Sequence, residues 1–399
     1  MPHNPDKVNR RSFLKAFGLA GMAFPLFGRA AEAYKKADHK HQLLYVGTYT
    51  TDTASKGIYI FRLETSTGKL TQQTTVNGVT DPSFLTIDKR RRYLYAVNET
   101  DEYNGMKSGA VSAFSIDGRS GDLTFLNKQP SMGGSPCYIS ISSNNRFVIV
   151  ANYAGGNIAV LPVEASGQLQ PAIEVKKHEG TGPIKDRQEA AHAHWVDFDR
   201  TGRIVAACDL GADKIFLYRF DDRTGKLMPN AAQPFFQTKS GAGPRHLTFS
   251  PNAKFAYLIN ELGSTIAALA YDQNRGMLSA IQSISTLPSN WIGENTCAEI
   301  QLSPDGNFLY CSNRGHDSIV SYSVDQSTGK LSLIEHTSTG GKVPRSFVVD
   351  PTGSMLLAAN QKSDNIVSFV IDKKTGKLQP TGNEYTVPSP VCLKITPAF

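Results

Sequence analysis

The chain has 399 residues, 40% of them apolar and 19% charged, a balance that excludes both a disordered polymer and a bundle of membrane helices. Beyond residue 33 it carries 37 basic against 33 acidic side chains, a surplus of +4 that is too small for a nucleic-acid footprint. Its 34 Gly and 21 Pro favour many short strands joined by turns.

The N-terminus reads as an address. Asn9-Arg10-Arg11-Ser12-Phe13-Leu14-Lys15 matches a twin-arginine export motif, an apolar stretch follows from Ala16 to Phe27, and Ala31-Glu32-Ala33 has the form of a cleavage site. This order predicts a signal peptide over 1–33, a short linker over 34–41 and a folded unit over 42–399. It also predicts the twin-arginine export machinery as a partner and a periplasmic or secreted mature protein. No apolar run after residue 34 approaches the roughly 20 residues of a membrane helix, so no membrane insertion is expected once the signal is removed. The five cysteines (Cys137, Cys208, Cys297, Cys311 and Cys392) form no C-x-x-C and no zinc spacing, and are expected to be small buried hydrophobes.

An internal repeat organises the rest. A tetrad of the form small-or-polar, Gly, x, Leu recurs seven times, from Thr67-Gly68-Lys69-Leu70 to Thr375-Gly376-Lys377-Leu378, with glycines about 51 residues apart on average. Glycine there supplies the positive φ of a tight hairpin. Each tetrad follows an alternating run such as Ser318-Ile-Val-Ser-Tyr-Ser-Val324, the period-2 signature of a strand. Upstream lie two further strand signals, one opening at Pro or its equivalent (Pro244-Arg-His-Leu-Thr-Phe249) and one running into Asn or Asp (Tyr257-Leu-Ile-Asn260). Four strands in each of seven units predict an all-β fold, a seven-bladed β-propeller whose strands are lettered a to d from the axis outward. The first unit lacks a strand a, and Pro390-Val-Cys-Leu-Lys-Ile395 at the far end supplies one, which would close the ring.

Strand a begins where strand b ends, so these positions from all blades converge on one mouth of the central channel. The strand-b exits are Tyr49, Glu99, Tyr153, Leu210, Glu261, Arg314 and Gln361. The strand-a starts include Cys137/Tyr138, His194/Trp195, Arg245/His246, Ala298/Glu299 and Arg345/Ser346. Ionisable groups (His192, His194, Arg245, His246, Glu261, Glu299, Arg314 and Arg345) fall largely on blades 4 to 7, beside a long loop, His178 to Ala191, that carries Arg187. Imidazoles, carboxylates and guanidiniums in one funnel suit attack of water on an ester or lactone, the first two as proton acceptors and the last as oxyanion partners. There is no G-x-S-x-G elbow and no H-E-x-x-H, which favours direct water attack over an acyl-enzyme.

At these residues the sequence resembles the seven-bladed propeller lactonases, a family that includes a bacterial 6-phosphogluconolactonase and the fungal carboxy-muconate cyclase. The likeness runs over 42–396 and is most specific in His178-x-Gly-x-Gly-Pro183 through Arg187-Gln188 to His192-Ala-His194, Asp209-Leu-Gly-Ala-Asp213, Gly243-Pro-Arg-His246, Asn260-Glu261 and Ser312-Asn-Arg-Gly-His-Asp-Ser-Ile319. The resemblance implies a His, Arg, Glu, Arg site at His194 (or its neighbour His192), Arg245, Glu261 and Arg314. Glu261 or His194 would transfer the proton, while Arg245 and Arg314 would hold the oxyanion or a substrate anion. His192, His246, Arg187, Glu299, Arg345 and Tyr153 are the expected substrate-binding residues, and Asp209 and Asp213 are expected to fix the funnel loops. The resemblance implies no metal and no cofactor. The expected partner is a small lactone, anionic or polyhydroxylated: a 6-phosphogluconolactone-like molecule or, after export, an unphosphorylated aldonolactone. A muconate-type cycloisomerase and a non-catalytic binding propeller are the alternatives.

Overall fold

The computed structural model describes residues 41–397; the expected signal peptide and linker lie outside the described residues except for His41, which opens the first strand. Seven antiparallel sheets follow one another along the chain. Blade 1 is built from Pro390–Pro397, His41–Thr48, Gly57–Glu64 and Lys69–Asn77, in that order from the axis. The last strand pairs in register with the first, Leu43 opposite Thr396 and Val46 opposite Leu393, so the ring is closed as the orphan strand predicts. Blades 2, 3, 5, 6 and 7 repeat the order a-b-c-d without interruption. Blade 4 differs at its rim, where the outer strand is split into Leu227–Pro229 and Phe235–Gln237.

Burial explains the sequence pattern of each strand. Strand b of blades 3, 4, 5 and 7 (Phe147–Asn152, Ile204–Asp209, Phe255–Asn260 and Met355–Asn360) is buried throughout, because both its faces press against neighbouring blades. Such a strand reads as a continuous apolar run. Strand d at the rim, as in Lys69–Asn77, is exposed or half-buried at every position but Leu70. All seven tetrad glycines have positive φ, between 67° and 86°, the region an L side chain resists. Four of the hairpins they shape are latched to the preceding blade. The buried hydroxyls of Tyr45, Tyr95, Tyr257 and Tyr310 donate to the carbonyls of Gly121, Gly167, Gly329 and Gly376.

One irregularity recurs at the axis. Strand a carries a β-bulge at its start in blades 3, 4, 5 and 7, leaving Cys137, His194, Arg245 and Arg345 as the extra residue. A bulge frees one side chain from the pleat and re-aims it. Here it gives four of the seven inner strands a group that does not alternate with its neighbours.

Candidate active site

The strand-b exits are fixed by one repeated backbone bond. The amides of Glu99, Tyr153, Leu210 and Glu261 donate to the carbonyls of Asp81, Ser135, His192 and Gly243, at 2.7–3.0 Å. The exits therefore sit level with the bulged residues, and members of both sets line a chamber of about 310 Å³ at this mouth. Its walls are Glu99, Cys137, Tyr153, Arg187, His194, Glu261, Thr296, Arg314 and Arg345. Below them the channel narrows to a slot of about 10 Å³, between Ser83, Phe84, Glu99, Cys137, His194, Arg245, His246, Glu299, Arg345 and Val391.

Glu261 is the electrostatic centre. It is buried, and it receives Arg245 Nε at 2.9 Å, Arg314 at 3.0 Å and Arg187 at 2.6 Å, with His194 Nε2 3.9 Å away. Burial alone would raise its carboxyl pKa, but Arg314, Arg245 and Arg187 outweigh burial and hold it well below the usual carboxylate range. A carboxylate held so firmly as an anion is a poor proton acceptor. It serves instead to gather guanidiniums. Burial, together with Arg245 and His246, pushes the His194 imidazole well below its usual range, so it is neutral and its contact with Glu261 is not an ion pair.

Arg187 arrives from the loop between blades 3 and 4, on a helical turn over Lys185–Gln188, and also meets the Tyr153 hydroxyl at 3.4 Å. That loop is tied down at both ends. Asp209 accepts from the His192 and Ala212 amides and pairs with buried His178 at 2.8 Å, while Asp213 accepts from the amides of Gly241 and Gly243. Both aspartates hold the funnel loops.

Arg345 is treated differently from the other three guanidiniums. Among the described residues it makes no hydrogen bond or ion pair, and its guanidinium lies 5.4 Å from the centre of the Tyr49 ring. Arg314 Nε is likewise buried without a partner.

Four of the expected residues lie away from the chamber walls, and one of them, Arg245, lines the slot below and reaches Glu261 from there. His192 stacks on Tyr153 (ring centres 4.5 Å apart, 12° between planes) and is hydrogen-bonded to the Tyr153 carbonyl and Glu189, so it buttresses the wall and His194 alone faces the cavity. His246 and Glu299 line the slot beneath, in a buried chain. Glu299 lies 3.3 Å from His246 Nδ1, and Arg245 donates to His246 Nε2 at 3.1 Å. Glu99, on blade 2, was passed over by the expectation that charge gathers on blades 4 to 7, although its register is that of Glu261. Tyr49 and Ser83, which both donate to Glu99, had no sequence signal beyond their place at the mouth.

Strand a runs from this mouth to the other end of the axis, where a second cavity of about 510 Å³ is lined by Tyr138, Trp195, Asp197, Glu299, Lys394 and others. All five cysteines are buried and free. Among the described residues no group of three or more His, Cys, Asp or Glu is spaced to hold a metal ion, and no helix is long and apolar enough to cross a membrane.

A closed seven-bladed propeller with a guanidinium-lined chamber at one mouth is the class of protein these observations define. Residues 43–395 match the model of the family described as lactonase, 7-bladed beta-propeller, and the chain belongs to that family. It is similar to a 6-phosphogluconolactonase of Bacillus subtilis, 39% identical over 77% of this chain and 84% of the relative. A 6-phosphogluconolactonase of Formosa agariphila is 35% identical, over 77% of this chain and 86% of the relative. Among solved structures, a periplasmic gluconolactonase of Pseudomonas aeruginosa superposes with a TM-score of 0.84 at 34% identity, covering 90% of this chain and all of that one.

Proposed function

We propose that the protein hydrolyses a sugar lactone by direct attack of water in the upper chamber, and that its substrate is an unphosphorylated aldonolactone met after export. The observation that carries the reading is the division of labour among the four guanidiniums. Arg187, Arg245 and Arg314 are paired with Glu261, which leaves Arg345 as the chamber guanidinium without a carboxylate partner among the described residues and the Nε–H of Arg314 buried without an acceptor. This is enough for a carbonyl oxygen that becomes an oxyanion, and for the carboxylate of the product. A phosphate dianion calls for several free guanidinium or ammonium donors at once. The twin-arginine motif and the likeness to a periplasmic gluconolactonase point the same way.

In this mechanism the lactone carbonyl lies against Arg314 and Arg345, held in a chamber whose cationic character is fixed by Glu261. Because Glu261 pre-positions the guanidiniums, little reorganisation is needed when charge develops on the oxygen. Water adds to the carbonyl carbon, the tetrahedral intermediate collapses with cleavage of the ring C–O bond, and the hydroxy acid leaves as its anion with release of one proton.

The test is proton release by the mature protein in a pH-stat, with glucono-1,5-lactone and its 6-phosphate as parallel substrates and the enzyme-free rate subtracted. The expected result is turnover of both with preference for the neutral lactone. Preference for the phosphate would overturn the substrate assignment, and no rate above the spontaneous one for either would sink the lactonase reading.

A further inference from the structure

Two carboxylates face the chamber, and they are held in opposite ways. Glu261, on blade 5, is gripped by three guanidiniums. Glu99, on blade 2, forms no ion pair among the described residues. It accepts from the Tyr49 hydroxyl, 3.0 Å from both its oxygens, and from Ser83 Oγ. Among the described residues, Glu99, Cys137, His194 and Arg345 alone line both the chamber and the slot below it. The slot is polar and has room for about one water molecule, at the lower limit of what a water requires. A substrate in the chamber and a water in the slot would meet at these four residues.

From this geometry, and resting on the lactonase reading, we propose that Glu99 is the catalytic acid–base residue: it takes a proton from the attacking water and returns it to the ring oxygen. As the water oxygen bonds to the lactone carbonyl carbon, its proton passes to the Glu99 carboxylate and the carbonyl electrons move onto the oxygen beside Arg345. When the ring C–O bond breaks, the departing oxygen takes that proton, and Glu99 is an anion again. The remaining acid proton of the product passes to solvent.

The other three candidates fit the role less well. Burial pushes the Cys137 thiol far above its usual range. Protonating His194 would add a cation beside Arg245, and its ring is held neutral. Glu261 is stabilised as an anion by its guanidiniums. At Glu99 burial raises the carboxyl pKa, while Arg345, Ser83 and Tyr49 pull it back. Besides burial, the groups that set its titration are Arg345 on blade 7, Ser83 and Asp81 on blade 2 and Tyr49 on blade 1, and the Cys137 thiol on blade 3 lines the same chamber. Two carboxylates driven apart in this way divide structural and proton-transfer roles between them.

The experiment compares wild type, Glu99→Gln and Tyr49→Phe for glucono-1,5-lactone hydrolysis across pH, with thermal unfolding of each. Gln keeps an oxygen to accept from Tyr49, and the expected loss in kcat is about 100- to 10,000-fold with KM little changed. Tyr49→Phe removes a donor that favours the anion, so the acidic limb of its kcat profile moves to higher pH. A structural role for Glu99 would lower the melting temperature and leave that limb in place. Wild-type-like turnover in a folded Glu99→Gln protein, or an unmoved limb in Tyr49→Phe, overturns the assignment. Should Glu99→Gln not fold, the Tyr49→Phe limb decides. If wild type itself shows no rate above the spontaneous one, the lactonase reading fails and this role falls with it.

Discussion

At the upper mouth four guanidiniums stand around the ionised Glu261, whereas at the lower mouth Asp197 and Glu299 share their cavity with Lys394 and make no ion pair with it. The same inner strands build both ends, yet Glu261 responds in the opposite sense to Asp197 and Glu299. Glu99 at the upper mouth, held by no ion pair among the described residues, moves upward as they do. Glu261 is driven well below the usual carboxylate range despite burial. Burial carries Glu299 up to about 7 and Asp197 up to about 6. Desolvation acts at both ends, so what differs is the supply of guanidiniums. Around Glu261 they arrive from three sources: a bulged strand a (Arg245), a strand-b exit (Arg314) and a loop (Arg187). The contrast teaches that the propeller supplies positions and depth, while a few side chains decide whether a buried carboxylate is an anchor or a proton store.

The most direct way to break the contrast is to remove the anchor. Glu261→Gln leaves Arg245 and Arg314 buried without their counter-charge, and breaking a buried pair from one side costs about 3–5 kcal/mol. A carboxyl whose folded pKa is depressed contributes stability above its unfolded value and loses it as pH falls through the folded value. The loss in the variant should therefore be full at pH 7 and shrink in strong acid. Denaturant unfolding at pH 7 and at successively lower pH measures it, and an unchanged midpoint at pH 7 would mean that the guanidiniums find other partners.

Arg345 sharpens the comparison from the other side, since it is the upper-mouth guanidinium that Glu261 does not hold. Arg345→Met should lower kcat/KM by about 10- to 100-fold through loss of a charged donor to the developing oxyanion. It should also shift the acidic limb of the profile upward, because Arg345 opposes the effect of burial on Glu99. Steady-state kinetics across pH reads both effects. A fall in activity with no movement of the limb would separate Arg345 from Glu99.

Much of the fold was legible because its determinants are local and repeated. A glycine needed for positive φ leaves the same mark at Gly68, Gly225 and Gly376, and an orphan strand at the C-terminus has one place to go. The ring of strand-b exits could be read for the same reason, and it contained both Glu99 and Glu261. The roles of those two could not be read, because they depend on which guanidiniums reach each carboxylate across the channel. Arg187 comes to Glu261 from 74 residues away, on a loop without periodicity. Nor does alternation reveal a one-residue bulge. Around Arg245-His246 it leaves open which side chain is re-aimed, and the structure makes Arg245 the bulged residue that reaches Glu261, while both side chains line the slot. His192 and His194 stand two apart and share a parity, and only the stacking of His192 on Tyr153 separates them.

The lower mouth offers the smallest effect and the opposite sign. Glu299, 7% exposed, keeps its proton in the folded protein up to about pH 7, while in the unfolded chain it ionises near its ordinary value of 4.5. Between those values the folded state binds more protons than the unfolded state, so this group makes stability fall as pH rises through the window. Glu299→Gln keeps an acceptor for the His246 Nδ1–H and the Ile300 amide and removes the titration. The variant should match wild type near pH 4.5 and exceed it at pH 8 by on the order of 2 kcal/mol, most of the gain appearing as pH rises toward 7. Unfolding midpoints at those two pH values measure it. Parallel pH dependences for Glu299→Gln and wild type would mean that Lys394 already neutralises Glu299, and the distinction between the two mouths would then rest on Asp197.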